Sequence, residues 1–325
     1  MTLTDLVEHK HNKNFGRLIG RSPAMQQVYK HLRKAAKVDI PVLLEGETGT
    51  GKDLAAHALH LISDRSHGPY IPVNLGALPP TLITSELFGH EKGAFTGAVV
   101  RQKGKFEQAR DGTIFLDEIE SIDEKTQISL LRLIEEKKFY RLGGKRRIGT
   151  NARMTAASNQ NLGKLVEQGS FRQDLFFRLD VFPITLPPLR KRQEDIAFLT
   201  AHFVLHYNQL LKKQITQIDP ECLRMLENHS WPGNVRELRN VVQRAILMCE
   251  EEILTPEHLP PELQNAEDST LPVLSFKIGT PLDKIERAVI MHTLDVTDNN
   301  RTEAAKLLGI SRRALYNKLK KYHIQ

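Results

Sequence analysis

Gly46-Glu47-Thr48-Gly49-Thr50-Gly51-Lys52 follows the apolar run Pro41-Val42-Leu43-Leu44 and precedes an Ala/Leu-rich stretch that opens at Asp53. A strand, a glycine-rich turn ending in lysine, and a helix, in that order, make a phosphate-binding loop. The glycines let backbone N–H groups wrap phosphate oxygens, the helix N-terminus favours anions, and Lys52 reaches the outer phosphates. The residue after the lysine is usually Ser or Thr, a Mg2+ ligand; here it is Asp53. Its carboxylate is expected to hold Mg2+ directly or through water. Further along, Thr113-Ile114-Phe115-Leu116-Asp117-Glu118 reads as an apolar strand delivering two carboxylates to the edge of a sheet. Asp117 suits a Mg2+ ion and Glu118 a water to be oriented or deprotonated, which points to hydrolysis of ATP.

Working outward, short apolar runs at 41–44, 70–73, 113–116, 154–157 and 181–184 alternate with longer helical stretches. That alternation predicts βα units and a parallel sheet covered on both faces. Pro187-Pro188 ends the pattern, and Glu194 to Leu263 reads as helical. Residues 264–280 are polar and suit a linker, after which helical character resumes at Leu282. The expected organisation is a tail (1–15), an α/β nucleotide-binding subdomain (16–188), a helical lid (189–263), the linker (264–280) and an all-α domain (281–325).

Ser85 to Ala98 holds the sharpest signal, ending in Gly93-Ala94-Phe95-Thr96-Gly97-Ala98. This segment is uncharged, has glycines at two places and offers one aromatic. Either Phe95 folds back into the core from a hairpin turn, or it stands on a mobile loop as an anchor for a protein partner. With this motif the chain resembles the bacterial enhancer-binding proteins, the sigma-54-dependent transcriptional activators of the AAA+ superfamily. Further matching blocks are Ile19-Gly20-Arg21-Ser22, the phosphate loop, Phe115 to Ile119, Phe171 to Arg178, Leu186 to Arg190 and Trp231 to Leu238. The resemblance spans about residues 16–262 and 280–325. In that family a Glu commonly follows the loop lysine, so Asp53 is a mild departure; Leu75 stands where Cys is usual.

The resemblance implies several roles. Ile19 and Gly20 would lie against adenine, and residues 46–53 would hold the phosphates and Mg2+. Asn74 would restrain the catalytic Glu118 and link nucleotide state to the 93–98 loop. Asn159 would sense the γ-phosphate and Arg236, on the lid, would be a second sensor. Arg172 and Arg178 would be arginine fingers reaching the ATP of a neighbouring subunit, so that hydrolysis needs a ring, a hexamer in the family. Residues 139–148 are either a second pore-facing loop or a basic solvated hairpin. Two rival readings are a DNA-binding regulator that only senses ATP, and a generic AAA+ unfoldase or helicase loader. The unbroken 93–98 motif favours the activator over the first of these.

At the C-terminal end, Asn300 to Glu303 fits a capping box, Gly309 breaks the helix, and Ser311 can cap a second one from Arg312 to Tyr322. Two short helices around a glycine turn are the helix-turn-helix pattern. Leu315, Leu319 and Tyr322 face inward, leaving Arg312, Arg313, Tyr316, Asn317 and Lys320 for the major groove of double-stranded DNA. The block resembles the Fis-type domain of these activators; a basic hairpin docking on protein is the alternative. In the preceding helix, Leu282, Ile285 and Val289 with Ile290, Met291 and Leu294 suggest either dimerisation or an intramolecular core.

The net charge of +7 on 325 residues becomes informative in this light. Residues 301–325 carry seven basic side chains against one acidic, so the charge gathers on the proposed DNA reader. No apolar run approaches the roughly 18 residues needed to span a bilayer. Cys222 and Cys249 cannot build a disulfide framework or a zinc site, which points to a reducing bacterial cytoplasm. About 15 residues precede the nucleotide-binding subdomain, too few for a sensor domain, so either control is expected from a protein in trans or from expression level, or the chain is a truncated piece. The sequence-level expectation is an ATPase that binds upstream DNA, contacts sigma-54 and RNA polymerase holoenzyme, and remodels the closed promoter complex.

Overall fold

The computed structural model describes residues 2, 3, 18–264, 274, 276–297, 299–322 and 324. Residues 4–15 of the expected tail, and 265–273 and 275 of the expected linker, lie outside the described residues. The chain divides into two compact units, Met1–Pro260 and Pro261–Gln325.

The first unit is built on five parallel strands: β1 (Val42–Glu45), β2 (Tyr70–Asn74), β5 (Thr113–Asp117), β8 (Arg153–Ser158) and β9 (Pro183–Thr185), in the order β2-β5-β8-β1-β9. Two small antiparallel ladders leave this frame: β3 (Gly89–His90) with β4 (Gln102–Lys103), and β6 (Lys138–Tyr140) with β7 (Arg147–Gly149). Residues of a strand alternate between faces. Leu43, Ile114, Leu116 and Ala156 enter one core, while Val42, Leu44, Phe115 and Ala157 enter the other. Burial on both faces is why these runs read as continuous rather than alternating apolar sequence.

The register carries the functional consequence. Leu44 pairs with Ala157 and Glu45 with Ser158, while Phe115 pairs with Thr155 and Leu116 with Ala156. The phosphate loop after β1, Ser158-Asn159 after β8 and Asp117-Glu118 after β5 therefore emerge side by side at one edge, where ligands of open α/β sheets sit.

The lid consists of the helices Glu194–Leu211, Pro220–Asn228 and Asn234–Met248, with a short parallel ladder of β10 (Gln217–Ile218) and β11 (Ile253–Leu254). Trp231 is fully buried and donates its indole N–H to the Leu226 carbonyl at 2.8 Å. Leu3 is buried, its N–H donating to the Thr216 carbonyl at 3.1 Å.

The second unit contains the helices Leu282–Val296, Arg301–Leu307 and Arg312–Tyr322 around Ile290, Leu294, Ala304, Ala305, Leu315 and Leu319. Asn300 Oδ1 accepts from the N–H groups of Thr302 and Glu303, and Ser311 Oγ from that of Ala314. The capping box is one-sided: Glu303 receives the Asn300 side-chain amide at 3.4 Å rather than a backbone donor. Gly309, at φ +64°, makes the turn between the two short helices. The intramolecular core takes Ile290 and Leu294, while Leu282 and Met291 stay exposed.

Candidate functional site

Two glycines let the phosphate loop turn between β1 and the helix Lys52–Leu61. Gly49 and Gly51 have φ of +80° and +99°, conformations that glycine adopts without penalty. Lys52 folds over the loop and donates to the carbonyls of Gly46 (2.7 Å) and Glu47 (3.2 Å). Burial lowers the affinity of its amine for a proton, and the nearby carboxylates of Asp117, Glu120 and Glu118 oppose that. Thr50 is buried, its hydroxyl donating to the Glu47 carbonyl.

Asp117 and Glu118 stand across from this lysine. Burial raises the Asp117 carboxyl above its ordinary range, the Lys52 charge pulls it back, and Glu118 and Asp53 push it up again. Asp53, exposed in the first turn of the helix Lys52–Leu61, is thus close enough to act on Asp117. Among the described residues no group of three or more His, Cys, Asp or Glu side chains gathers to hold a metal. Mg2+ commonly takes one or two carboxylates and fills its shell with phosphate oxygens and water, and Asp117 with Asp53 fits that arrangement.

Glu118 adopts the left-handed conformation (φ 57°, ψ 50°), unusual for a side-chain-bearing residue and of a kind that clusters at active sites. Its carboxylate rests on Gly76: a Cβ added there would stand 1.8 Å from Glu118 Oε2. Asn74, opposite Asp117 in the ladder, accepts the Ala77 N–H on Oδ1 at 2.9 Å. It shapes the 74–77 turn that carries Gly76. Gly76→Ala is therefore expected to displace Glu118 and cut ATP turnover about 100-fold, leaving ADP affinity near wild type. Single-turnover hydrolysis alongside ADP titration measures both.

Between the two halves, Asn159 donates its N–H to Glu120 Oε1 at 3.3 Å, and Ser158 Oγ donates to the Gln160 carbonyl at 2.8 Å. The lid closes the other side. Asn234, at φ +52°, donates to the Thr48 carbonyl (3.0 Å) and to Glu47 Oε2 (3.2 Å), and accepts from the Leu189 N–H. Val235 N–H reaches the Gly49 carbonyl at 3.0 Å, and Arg236 begins beside Gly49. Arg190 forms a bidentate pair with Glu47, holding its carboxyl down at about 2. A depressed carboxyl adds its full stability above its unfolded value and loses it through the folded one, so this tie weakens as pH falls from the ordinary carboxylate range toward 2.

Arg172 and Arg178 are not gathered at this edge. Arg172 pairs with Asp174 (2.7 Å) and Glu124 (3.6 Å), and Arg178 with Glu135 (3.0 Å). Ile19 is half-buried and Gly20 buried, packed against Met25 and Asp195.

The loop Gly93–Ala98 closes on itself, Gly93 N–H donating to the Ala98 carbonyl at 2.8 Å. Phe95 follows neither expectation fully: it is 38% exposed, outside the core, yet its ring meets His90 edge-on at 5.0 Å. The 139–148 segment is a hairpin spanning β6 and β7, bonded to the stem of that loop. Leu142 N–H donates to the Gly89 carbonyl and Glu91 N–H to that of Leu142. Arg141, nearly buried, bonds Glu91 and doubly bonds Glu107, each at 2.7 Å. Burial would raise the Glu107 carboxyl, but the guanidinium outweighs it and holds it low.

In the second unit, Arg312, Arg313, Tyr316, Asn317 and Lys320 are all exposed, opposite the buried Leu315 and Leu319. Arg301 stacks over Tyr316 at 5.2 Å. Among the described residues no helix is long and apolar enough to cross a membrane. Gly76, Arg141, Arg190, Arg192, Asp195 and Asn234 were not singled out in the sequence. Their roles depend on partners far away in the chain, although Arg190 and Asn234 lie inside blocks that carried the family resemblance.

Comparison with known proteins agrees with this architecture. Residues 18–185 match the Sigma-54 interaction domain, 190–273 the AAA+ ATPase lid domain, and 281–322 the Fis family of bacterial regulatory proteins. The chain is 44% identical over 315 residues to the regulatory protein AtoC of Escherichia coli, covering 95% of this chain and 68% of AtoC. It is 40% identical over 338 residues to the transcriptional regulator NtrC of Azospirillum brasilense, covering 95% and 70%. To the nitrogen fixation protein VnfA of Azotobacter vinelandii it is 43% identical, covering 94% of this chain and 59% of VnfA. The crystal structure of NtrX from Brucella abortus in complex with ATP matches with a TM-score of 0.71 at 31% identity, covering 95% of this chain and 70% of that one. An AAA+ phosphate-loop domain, its helical lid and a Fis-type helix-turn-helix in one chain place this protein in the family of sigma-54-dependent transcriptional activators.

Proposed function

We propose that this chain hydrolyses ATP in a ring of subunits and uses the 93–98 loop to remodel the sigma-54 RNA polymerase closed complex, while its last helices bind upstream DNA. The observation that carries the reading is the meeting of Lys52, Asp117 and Glu118 at one sheet edge, with the loop and hairpin hung from the same α/β body.

Asp117, with Asp53 in reach, would hold Mg2+, which when bound would supply charge neutralisation at the phosphate oxygens. Lys52 leaves the loop carbonyls to bind the outer phosphates. Glu118 orients the attacking water and accepts its proton. Asn159 and Arg236 read the γ-phosphate from the sheet and from the lid. Arg172 and Arg178 exchange their acidic partners for the nucleotide of the adjoining subunit, which ties turnover to assembly. Dimers joined through the exposed apolar side of the helix Leu282–Val296 would place two recognition helices on an inverted repeat.

Phe95→Ala tests the motor against a regulator that only senses ATP. It is expected to abolish promoter activation in a reconstituted sigma-54 system, with ATPase rate and DNA affinity within about twofold of wild type. Activation that survives, with DNA binding intact, removes the loop from the mechanism.

A further inference from the structure

Arg192 and Asp195 lie in the turn that enters the lid helix Glu194–Leu211, Asp195 N–H donating to the Arg192 carbonyl at 2.9 Å. Both side chains are buried, 2% and 0% exposed. A buried carboxylate is costly unless its oxygens are satisfied, and this one is satisfied entirely by the segment expected to receive the base. Asp195 Oδ1 accepts the N–H groups of Arg21 (2.6 Å) and Ser22 (2.8 Å), and Oδ2 accepts the Ser22 hydroxyl at 2.8 Å. From the other side, the Tyr29 hydroxyl bonds the carbonyls of Leu18 and Gly20 at 3.3 and 3.2 Å. Both flanks of Ile19 are thereby fixed. Gly20 has no room for a side chain: a Cβ there would stand 2.7 Å from Met25 Cγ and 3.0 Å from Asp195 Oδ2. Arg192 reaches the other way, Nη2 donating to the Thr50 carbonyl of the phosphate loop at 3.1 Å.

One turn of the lid thus grips the base segment with one side chain and the phosphate loop with the other. We propose that Asp195, braced by Arg192, is a positioning residue that sets nucleotide affinity and base selectivity by holding residues 20–22 in the shape that receives the base. The proposal rests on the reading that ATP lies across Ile19-Gly20 and the phosphate loop. Its consequence is that lid orientation and base-site shape are a single variable, so an occupied base site fixes the lid.

Asp195→Asn in the full chain tests it, because the amide keeps the volume and one acceptor while removing the charge. The expected result is ADP binding weakened about tenfold and the ATP-over-GTP preference in kcat/KM reduced about tenfold, with kcat at saturating ATP within about twofold. Ser22→Ala, which removes the hydroxyl that Asp195 Oδ2 accepts, is expected to weaken ADP binding and the base preference in the same direction, and serves where the Asn variant fails to fold. Wild-type ADP affinity and base preference in the folded variants overturn the proposal. So does a loss confined to kcat, or a lower melting temperature without nucleotide accompanied by unchanged affinity. Failure of the wild-type chain to bind ATP would instead strike the underlying nucleotide-site reading.

Discussion

Glu118→Gln is expected to yield a protein that still binds ATP and Mg2+ but turns over about 10²–10⁴-fold more slowly, the range a positioned general base supplies. The geometry makes the prediction specific. Glu118 is held in a left-handed backbone conformation with its carboxylate against Gly76, so its direction is set by the backbone on both sides. The amide fits the same space but cannot take a proton, so binding and chemistry should separate. ATP titration and single-turnover hydrolysis measure the two; near-normal turnover would take Glu118 out of the chemical step.

Arg172→Ala is expected to cost at least as much, about 10³–10⁵-fold in turnover, the contribution of an arginine supplied in trans. In the single subunit Arg172 is paired with Asp174 and Glu124, with no bond to the phosphate loop of its own chain. Those pairs are solvent-exposed and worth little, so a phosphate can take the guanidinium from them. Mixing Arg172→Ala with a Lys52→Ala chain should restore part of the activity, because some interfaces then combine an intact loop with an intact arginine. Absence of any rescue in a mixture that co-assembles would mean that Arg172 acts within its own subunit or only structurally.

The phosphate loop was legible because its chemistry is local: Gly49 and Gly51 occupy backbone conformations that few other residues tolerate. The sheet was legible because the runs Val42–Leu44 of β1 and Ile114–Leu116 of β5 are buried on both faces and therefore apolar without a break. The inward and outward faces of the last helix were legible from spacing, with Leu315 and Leu319 in the core. Long-range partners were not. Asp195 bonds Ser22 across 173 positions and Arg190 bonds Glu47 across 143, and neither pairing leaves a local pattern. Gly76 looks like any loop glycine until Glu118 is seen to lie over it. Phe95 was framed as either buried or free, and an edge-on contact with His90 is a third state that only three-dimensional placement reveals. The half-formed box at Asn300 shows the same limit at short range, since the residue types were right but one donor differs.

Arg141 gives the loop and the hairpin a common mechanical fate. One guanidinium braces Glu91 at the base of the 93–98 loop and Glu107 beyond it, while standing on the hairpin itself. Beneath it, Phe88 packs against Phe106 and Phe139 with centroids 5.6 and 5.7 Å apart. The stems of the two segments share one guanidinium and one cluster of three rings, so a change in the direction of either stem disturbs groups that also hold the other.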